Sequence, residues 1–98
     1  MAESVIKKEP KLITSIVNAV SIPTFPASSN VQVQFDLSKS GYSPLGICGF
    51  SGSGTQGLIP QEYSVSAVSN RGYVYYQNVT NAARIPTRLT IVVLYQEE

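Results

Sequence analysis

The heptapeptide VQVQFDL at residues 31–37 decides the fold class of this chain. Four apolar side chains, at residues 31, 33, 35 and 37, alternate strictly with three polar ones. Because successive side chains of a β-strand point to opposite faces, this alternation predicts a strand with one buried face and one solvent-exposed face. A helix would instead repeat its apolar residues every three or four positions.

Three further segments continue the β pattern toward the C-terminus. Residues 63–67 alternate in the same way, and residues 73–80 alternate again after the turn SNRG, so the two segments are predicted to form a hairpin. Residues 88–96, RLTIVVLYQ, carry apolar side chains on both faces of the predicted strand. This strand is therefore predicted to be central in its sheet or to cover an interface.

Two less regular segments complete the pattern. Residues 45–50, LGICGF, predict a short buried strand in which Gly46 and Gly49 permit a bulge or a close neighbour. Residues 12–22 fit either a helix or a strand, and their Ile and Val content together with the following Pro23 favours a strand.

Five strands and a candidate sixth, without a convincing helix, predict an all-β domain of five to seven strands. We expect an antiparallel β-sandwich of the jelly-roll kind, with a barrel as the alternative. Residues 23–98 are assigned to this sandwich domain. Residues 1–22 are assigned to an N-terminal leader or attachment segment that includes the candidate first strand.

Composition excludes several function classes. Of the 98 residues only 13% are charged, the net charge is +1, and the Lys and Arg residues are scattered, so we expect no nucleic-acid partner. No apolar run reaches the ~20 residues that span a bilayer, and charges interrupt the N-terminal stretch, so neither membrane insertion nor a signal peptide is predicted. The single Cys48 cannot form an internal disulfide and is expected to be a small buried hydrophobe.

The stretch GFSGSGTQG, which begins at Gly49, contains the pattern G-x-G-x-x-G at residues 52–57. In dinucleotide-binding proteins this pattern joins a strand to a helix, and an acidic residue about twenty positions later holds the ribose. Here Pro60 and a β alternation follow the glycines, and Gln77 stands where the acid is needed. We therefore expect a flexible inter-strand loop and no nucleotide cofactor.

The residues of a catalytic site are also missing. The sequence contains no His, which removes the usual general base and the commonest transition-metal ligand. Outside the termini the only carboxylates are Asp36 and Glu62, too few for a calcium site. We expect no enzyme activity, no metal and no cofactor. The glycosylation sequon at Asn78 lies in a predicted strand, and we interpret it as a chance match.

The tyrosine-rich segment RGYVYYQN at residues 71–78 is the candidate contact site. Tyrosine combines a rigid apolar ring with a hydroxyl group, which suits a sugar platform or a protein contact. Strand alternation places Tyr73 and Tyr75 on one face and Tyr76 and Asn78 on the other. Packing in the core or against a neighbouring subunit is the alternative interpretation. The candidate residues for ligand or subunit contact are Arg71, Tyr73, Tyr75, Tyr76 and Asn78.

The order of these pieces resembles a known kind of module. The stretch SGYSPLGICGF, the Gly/Ser loop, the hairpin with NRGYVYYQN and the terminal RLTIVVLYQ are similar to small β-sandwich modules of bacteriophage tail-fibre, head-fibre and baseplate receptor-binding proteins. The resemblance covers about residues 31–96.

The resemblance implies a non-enzymatic structural protein of the virion, carried on tail or head beside other virion proteins. It implies a homotrimer that contributes to host attachment, with cell-surface glycans as the expected ligand. A domain of this size gains stability by burying a face between subunits, which agrees with that expectation. The alternative is a cellular carbohydrate- or protein-binding β-sandwich module that uses the tyrosine hairpin as its platform.

Overall fold

The computed structural model describes residues 9–98, and none of these residues lies in a helix. Every predicted strand is present, and the ambiguous segment at residues 12–22 supplies the first one, so the all-β prediction is confirmed. The six strands are β1 (Leu12–Asn18), β2 (Asn30–Asp36), β3 (Tyr42–Ser53), β4 (Leu58–Ser66), β5 (Arg71–Asn78) and β6 (Arg88–Glu97).

The strands form two antiparallel sheets of three strands each. The first sheet has the order β1-β6-β3, and the second sheet has the order β2-β5-β4. Strand β6 is therefore central in the first sheet, as its two apolar faces predicted. The predicted hairpin is formed by β4 and β5 in the second sheet. The arrangement is that of a β-sandwich, whereas the jelly-roll connectivity stays a prediction.

The core lies between the inner faces of the two sheets. Burial alternates along β2 as the sequence predicted, whereas in β6 Thr90 is buried between Leu89 and Ile91. Phe35, Leu89 and Ile91 are each 0% exposed. Burial of one such side chain stabilises the fold by about 1.5–3 kcal/mol. The hydroxyl of Tyr95 donates a hydrogen bond to the carbonyl of Leu37 at 2.9 Å, so the polar end of this buried ring is satisfied.

Strand β3 departs from the short buried strand that the sequence predicted. It runs for 12 residues along β6 and contains two bulges, which end at Gly46 and Gly49. The bulges agree with the glycines, but the expectation that Cys48 is buried is wrong. Ile47 keeps the inward position, and the extra residue of the second bulge leaves Cys48 exposed, with its Sγ 3.5 Å from the Val92 carbonyl oxygen.

The glycine-rich stretch at residues 52–57 was predicted to be an inter-strand loop, and only residues 54–57 connect β3 to β4, because β3 extends to Ser53. Its first two residues belong to β3, and the Thr87 N–H donates to the Ser53 carbonyl at 2.9 Å. Gly54 and Gly57 have φ angles of 69° and 77°, which allow the chain to turn from the first sheet to the second. Pairing with β6 extends β3 into this stretch, and a local sequence pattern does not reveal such pairing.

Strand β1 pairs with β6 along its whole length, from Leu12 opposite Gln96 to Asn18 opposite Thr90. It is therefore a full member of the first sheet. The part of the predicted leader at residues 1–8 lies outside the described residues, and the domain boundary at residue 22 stays a prediction.

Candidate functional site

Strand β5 carries all five candidate residues and lies in the centre of the second sheet, between β2 and β4. Its tyrosine and valine content favours a strand. The side chains of Arg71, Tyr73 and Tyr75 lie on the outer face of the sheet, whereas Tyr76 and Asn78 point into the protein. The five residues therefore do not form one site.

Tyr76 is a core residue that is only 3% exposed. Its ring meets Phe25 edge-on, with ring centroids 6.0 Å apart and planes at 82°. Among the described residues, none makes a hydrogen bond to the Tyr76 hydroxyl. Burial raises the pKa of Tyr76 to about 12, because desolvation disfavours the phenolate. This side chain cannot contact a ligand on the outer face of the sheet.

Asn78 is 0% exposed and ties two loops to its strand. Its Nδ2 lies 3.0 Å from the Phe25 carbonyl, 3.2 Å from that of Pro26 and 2.9 Å from that of Ala82. Its Oδ1 accepts hydrogen bonds from the N–H and the hydroxyl of Thr80, at 2.9 and 2.6 Å. The whole amide is used inside the protein, so Asn78 has a structural role and offers no free amide for glycosylation in the folded state.

The outer face of the second sheet, which we call the tyrosine face, brings together side chains from three strands. The register places the polar residues of β2 and β4 on either side of those of β5. Each of the two outward tyrosines has an amide on one side and a carboxyl or hydroxyl group on the other. Around the two tyrosines the face consists of Arg71, Tyr73 and Tyr75 of β5, Gln32, Gln34 and Asp36 of β2, and Glu62 and Ser64 of β4, and it continues at one end to Gln77 and Ile59.

Hydrogen bonds and charges order this face. Gln32 Nε2 donates to the hydroxyl of Tyr75 at 3.0 Å, and Tyr75 remains 41% exposed. The Ser38 N–H donates to Asp36 at 3.0 Å. This backbone hydrogen bond, a side-chain hydrogen bond from Ser38 and the nearby Arg71 charge lower the pKa of Asp36. Because Asp36 and Arg71 are registered partners, one end of the face carries neighbouring opposite charges at neutral pH.

The amide row of β2 was missing from the candidate residues that the sequence suggested. Gln32 and Gln34 form the polar half of the alternation in VQVQFDL, so the sequence did predict that they face water. Their position beside Tyr75 and Tyr73 depends on the pairing of β2 with β5, which joins residues more than forty positions apart. Local alternation identifies the solvent-exposed side of a strand but does not identify the strand that pairs with it.

The tyrosine face presents groups that suit non-covalent recognition. The face offers two exposed or half-buried aromatic rings, amide donors and acceptors, one pair of opposite charges and the Glu62 carboxylate. Within residues 9–98 there is no group of three His, Cys, Asp or Glu side chains that could hold a metal ion. No helix in the same range is long and apolar enough to cross a membrane.

Comparisons with protein-family models, curated proteins and solved structures found no match for this chain. The tyrosine face is therefore interpreted from its own geometry and chemistry. Its most distinctive property is that two tyrosines on a central strand remain accessible between rows of polar side chains.

Proposed function

We propose that this protein is a non-catalytic binding module that attaches to glycans through the tyrosine face. The observation that carries the proposal is the position of Tyr73 and Tyr75 on the outer face of a central strand, between polar rows from β2 and β4. A central strand presents both rings on one firm surface, so few side-chain torsions need to be ordered when a ligand binds.

The chemistry of a sugar ring matches this surface. A pyranose has apolar C–H faces and a rim of hydroxyl groups. Aromatic rings supply an apolar surface for the C–H faces at a small cost in conformational entropy. The amides of Gln32 and Gln34 both donate and accept hydrogen bonds, and the Glu62 carboxylate accepts them. Tyr73 and Tyr75 lie ~7 Å apart along the strand, a spacing suited to adjacent rings of an oligosaccharide.

The charges of the face favour a neutral glycan. Arg71 is paired in register with Asp36, so its charge is partly balanced. Glu62 beside Tyr75 adds a negative charge that would repel carboxylated or sulfated sugars. A neutral hexose chain carries no charge for Glu62 to repel, and it does not need the Arg71 charge that Asp36 partly balances.

The setting that we propose for this binding is the virion of a bacteriophage. The chain would serve there as a fibre or decoration module that contacts other virion proteins and a glycan on the host surface. The support for this setting is the resemblance of residues 31–96 to fibre modules, together with the low share of charged residues. A cellular binding module would use the same face, and neighbouring capsid or tail genes would distinguish the two settings.

A glycan array probed with the full chain tests the proposal, followed by titration calorimetry with the glycan that gives the strongest signal. Tyr75→Ala should weaken binding at least about tenfold, which corresponds to ~1.4 kcal/mol of lost contact. Tyr63→Ala is the matched control, because Tyr63 is 53% exposed but packs against Phe50 away from the tyrosine face. The proposal fails if no glycan binds above background, or if both substitutions weaken binding equally.

A further inference from the structure

The outer face of the first sheet differs in character from the tyrosine face. Its most accessible large apolar side chains are Ile16 at 73%, Leu12 at 58% and Leu45 at 49% exposure, and the exposed Thr14 lies between Leu12 and Ile16. The central strand contributes Val92 and Leu94, which are half-buried between their neighbours. The apolar face, as we name this surface, comprises Leu12, Ile16, Leu45, Cys48, Val92 and Leu94.

The bulges of β3 determine which of its side chains lie on this face. Pro44 and Ile47 point inward and are buried, whereas the bulged residues Leu45 and Cys48 are exposed beside the outward residues of β6. In a regular strand that starts at Tyr42, Leu45 and Ile47 would face outward and Cys48 inward, so the bulges place Cys48 on this face and turn Ile47 into the core. A contiguous apolar patch of several hundred Å² on a small protein typically marks an interaction surface.

Charged side chains on the outer side of β6 stand only at its two ends. Arg88 begins the strand, and Glu98 follows its last residue, with the Ser43 hydroxyl donating to the Glu98 carboxylate at 2.9 Å. Arg88 is separated from Val92 and Leu94 by even numbers of residues, so its side chain lies on the same outer side. Glu98 lies on that side as well, because it contacts Ser43, which is registered with the outward residue Gln96. Arg88 and Glu98 lie five residues before and five residues after Val93. The charges are therefore opposite in sign and equidistant from the middle of the face.

We propose that the apolar face binds a second copy of this chain across a two-fold axis. The axis lies between the two copies and runs perpendicular to the strands, level with the row of Ser15, Val93 and Ile47, which are registered with one another and point into the core. Each β6 then lies antiparallel over the partner's β6. In this arrangement Val92 packs on the partner's Leu94, and Arg88 at either end faces the partner's Glu98.

The charges select this arrangement over two others. A two-fold axis parallel to the strands would place Arg88 against the partner's Arg88. A three-fold axis parallel to the strands, as a trimer of fibre-like modules would have, also brings like ends together. Only antiparallel stacking pairs the opposite charges while covering the apolar centre, and an isologous contact of this kind closes after two subunits.

The expected size of the contact sets the expected affinity. A face three strands wide and seven residues long measures roughly 14 Å by 24 Å, from the strand spacing and the rise per residue. Covering it on both copies buries on the order of 1,000 Å², at the low end for a specific complex. We therefore expect a dimer that forms in the micromolar range and dissociates on dilution.

Sedimentation velocity of the full chain between about 2 and 200 μM tests the proposal, with a shift from one to two chains expected across this range. Ile16→Lys should remain monomeric at the highest concentration, because it places a charge beside Val92, close to the level of the proposed axis. Ile85→Lys is the matched control, since Ile85 is 70% exposed but lies on the loop before β6. The proposal is overturned if the wild type is monomeric throughout, if three chains associate, or if both variants dissociate alike.

Two further measurements test the geometry. Arg88→Glu should weaken the dimer, and combining it with Glu98→Arg should restore the wild-type dissociation constant. In a parallel arrangement like charges face each other in the wild type and in both variants, so an unchanged dissociation constant for Arg88→Glu rejects the antiparallel dimer. Cys48 is one residue from the axis row, so a short bis-maleimide should join two copies covalently. The combined substitutions Cys48→Ser and Val68→Cys move the thiol to a turn position that is 99% exposed, and the same reagent should then give no dimer. Failure of charge exchange to restore association, or equal cross-linking from both thiol positions, rejects the antiparallel dimer.

Discussion

The buried amide of Asn78 allows a quantitative test of what holds the loops to the second sheet. Replacing it with Ala removes the contacts to three carbonyl oxygens and the two bonds from Thr80. Each carbonyl retains a second donor, so none is left without a partner. These donors are Arg84 N for Phe25 and Ser29 Oγ for Pro26, and the Thr80 hydroxyl, released from Asn78 Oδ1, donates to Ala82.

The expected loss follows from this inventory. Truncation at Asn78 leaves the Thr80 N–H as the one group deprived of its only protein acceptor among the described residues. At ~1 kcal/mol net for each hydrogen bond lost, with partial compensation at the carbonyls, Asn78→Ala should lower the unfolding free energy by about 3 kcal/mol. For a domain of about 100 residues this corresponds to a fall in Tm of roughly 15 °C.

Asn78→Asp has nearly the same shape and should nevertheless be at least as harmful at pH 7. Its carboxylate can accept both bonds from Thr80, but the second oxygen has no proton and faces three carbonyl oxygens. A buried, unpaired charge costs about 3–5 kcal/mol. Burial raises the pKa of the new carboxyl group above its unfolded value, so its penalty is present at neutral pH and shrinks as the pH falls toward 5.

Urea unfolding followed by circular dichroism at pH 7 and pH 5 measures both effects. Asn81→Ala is the control, because Asn81 is exposed in the same loop and its loss should change the unfolding free energy by less than about 0.5 kcal/mol. Wild-type stability in the Asp variant at pH 7, or a loss below about 1 kcal/mol in the Ala variant, would refute the structural role assigned to this amide.

Three other substitutions follow from single observations. Tyr76→Phe removes a buried hydroxyl without a partner among the described residues, so thermal unfolding at pH 7 should show a gain of about 1 kcal/mol. Since the pKa of this group is raised to about 12, wild-type stability should fall as the pH rises from 10 to 12, and the Phe variant should lose less. Gly52→Ala should destabilise the fold because its Cβ would collide with the Arg88 carbonyl oxygen, whereas Gly46→Ala meets nothing within 4 Å, and denaturation midpoints compare the two. The lowered pKa of Asp36 stabilises the folded protein above pH 3.8, and this stabilisation is lost as the pH falls through the pKa of the folded state. The unfolding free energy of Asp36→Asn should therefore fall less on acidification than that of the wild type.

The sequence predicted the strands wherever alternation or a long β-forming run was present. Phe35 is buried and Gln34 exposed because an alternation of period two determines both positions within one segment. The central position of β6 followed from apolar residues on both of its faces, and the pairing with β1 and β3 confirms it. In these cases the information lies within about ten consecutive residues.

The sequence could not predict features that depend on pairing between distant segments. Cys48 is exposed because β3 bulges against β6. If the sequence LGICGF formed a strand without bulges, Cys48 would point into the core. The separation of Tyr76 from Tyr75 was visible in the alternation, but the amides beside Tyr75 come from a strand more than forty residues earlier. Sheet order decides such neighbours, and no local pattern encodes it.

The two proposed surfaces lie on opposite sides of the sandwich, and this has a consequence for binding. In the antiparallel dimer the two tyrosine faces point away from each other and are separated by roughly 30 Å, the thickness of four stacked sheets. A flat glycan surface can therefore meet only one face of a dimer, so dimerisation adds no avidity there. The Ile16→Lys variant should accordingly dissociate from an immobilised monolayer of short glycans at the wild-type rate.

A long soluble polysaccharide should distinguish the two proteins, because two of its chains can occupy the two faces of one dimer. The wild type should therefore cross-link it into particles detectable by light scattering. The Ile16→Lys variant should bind the same polysaccharide without cross-linking it, and equal cross-linking by both proteins would show that the tyrosine faces are not joined through the apolar face.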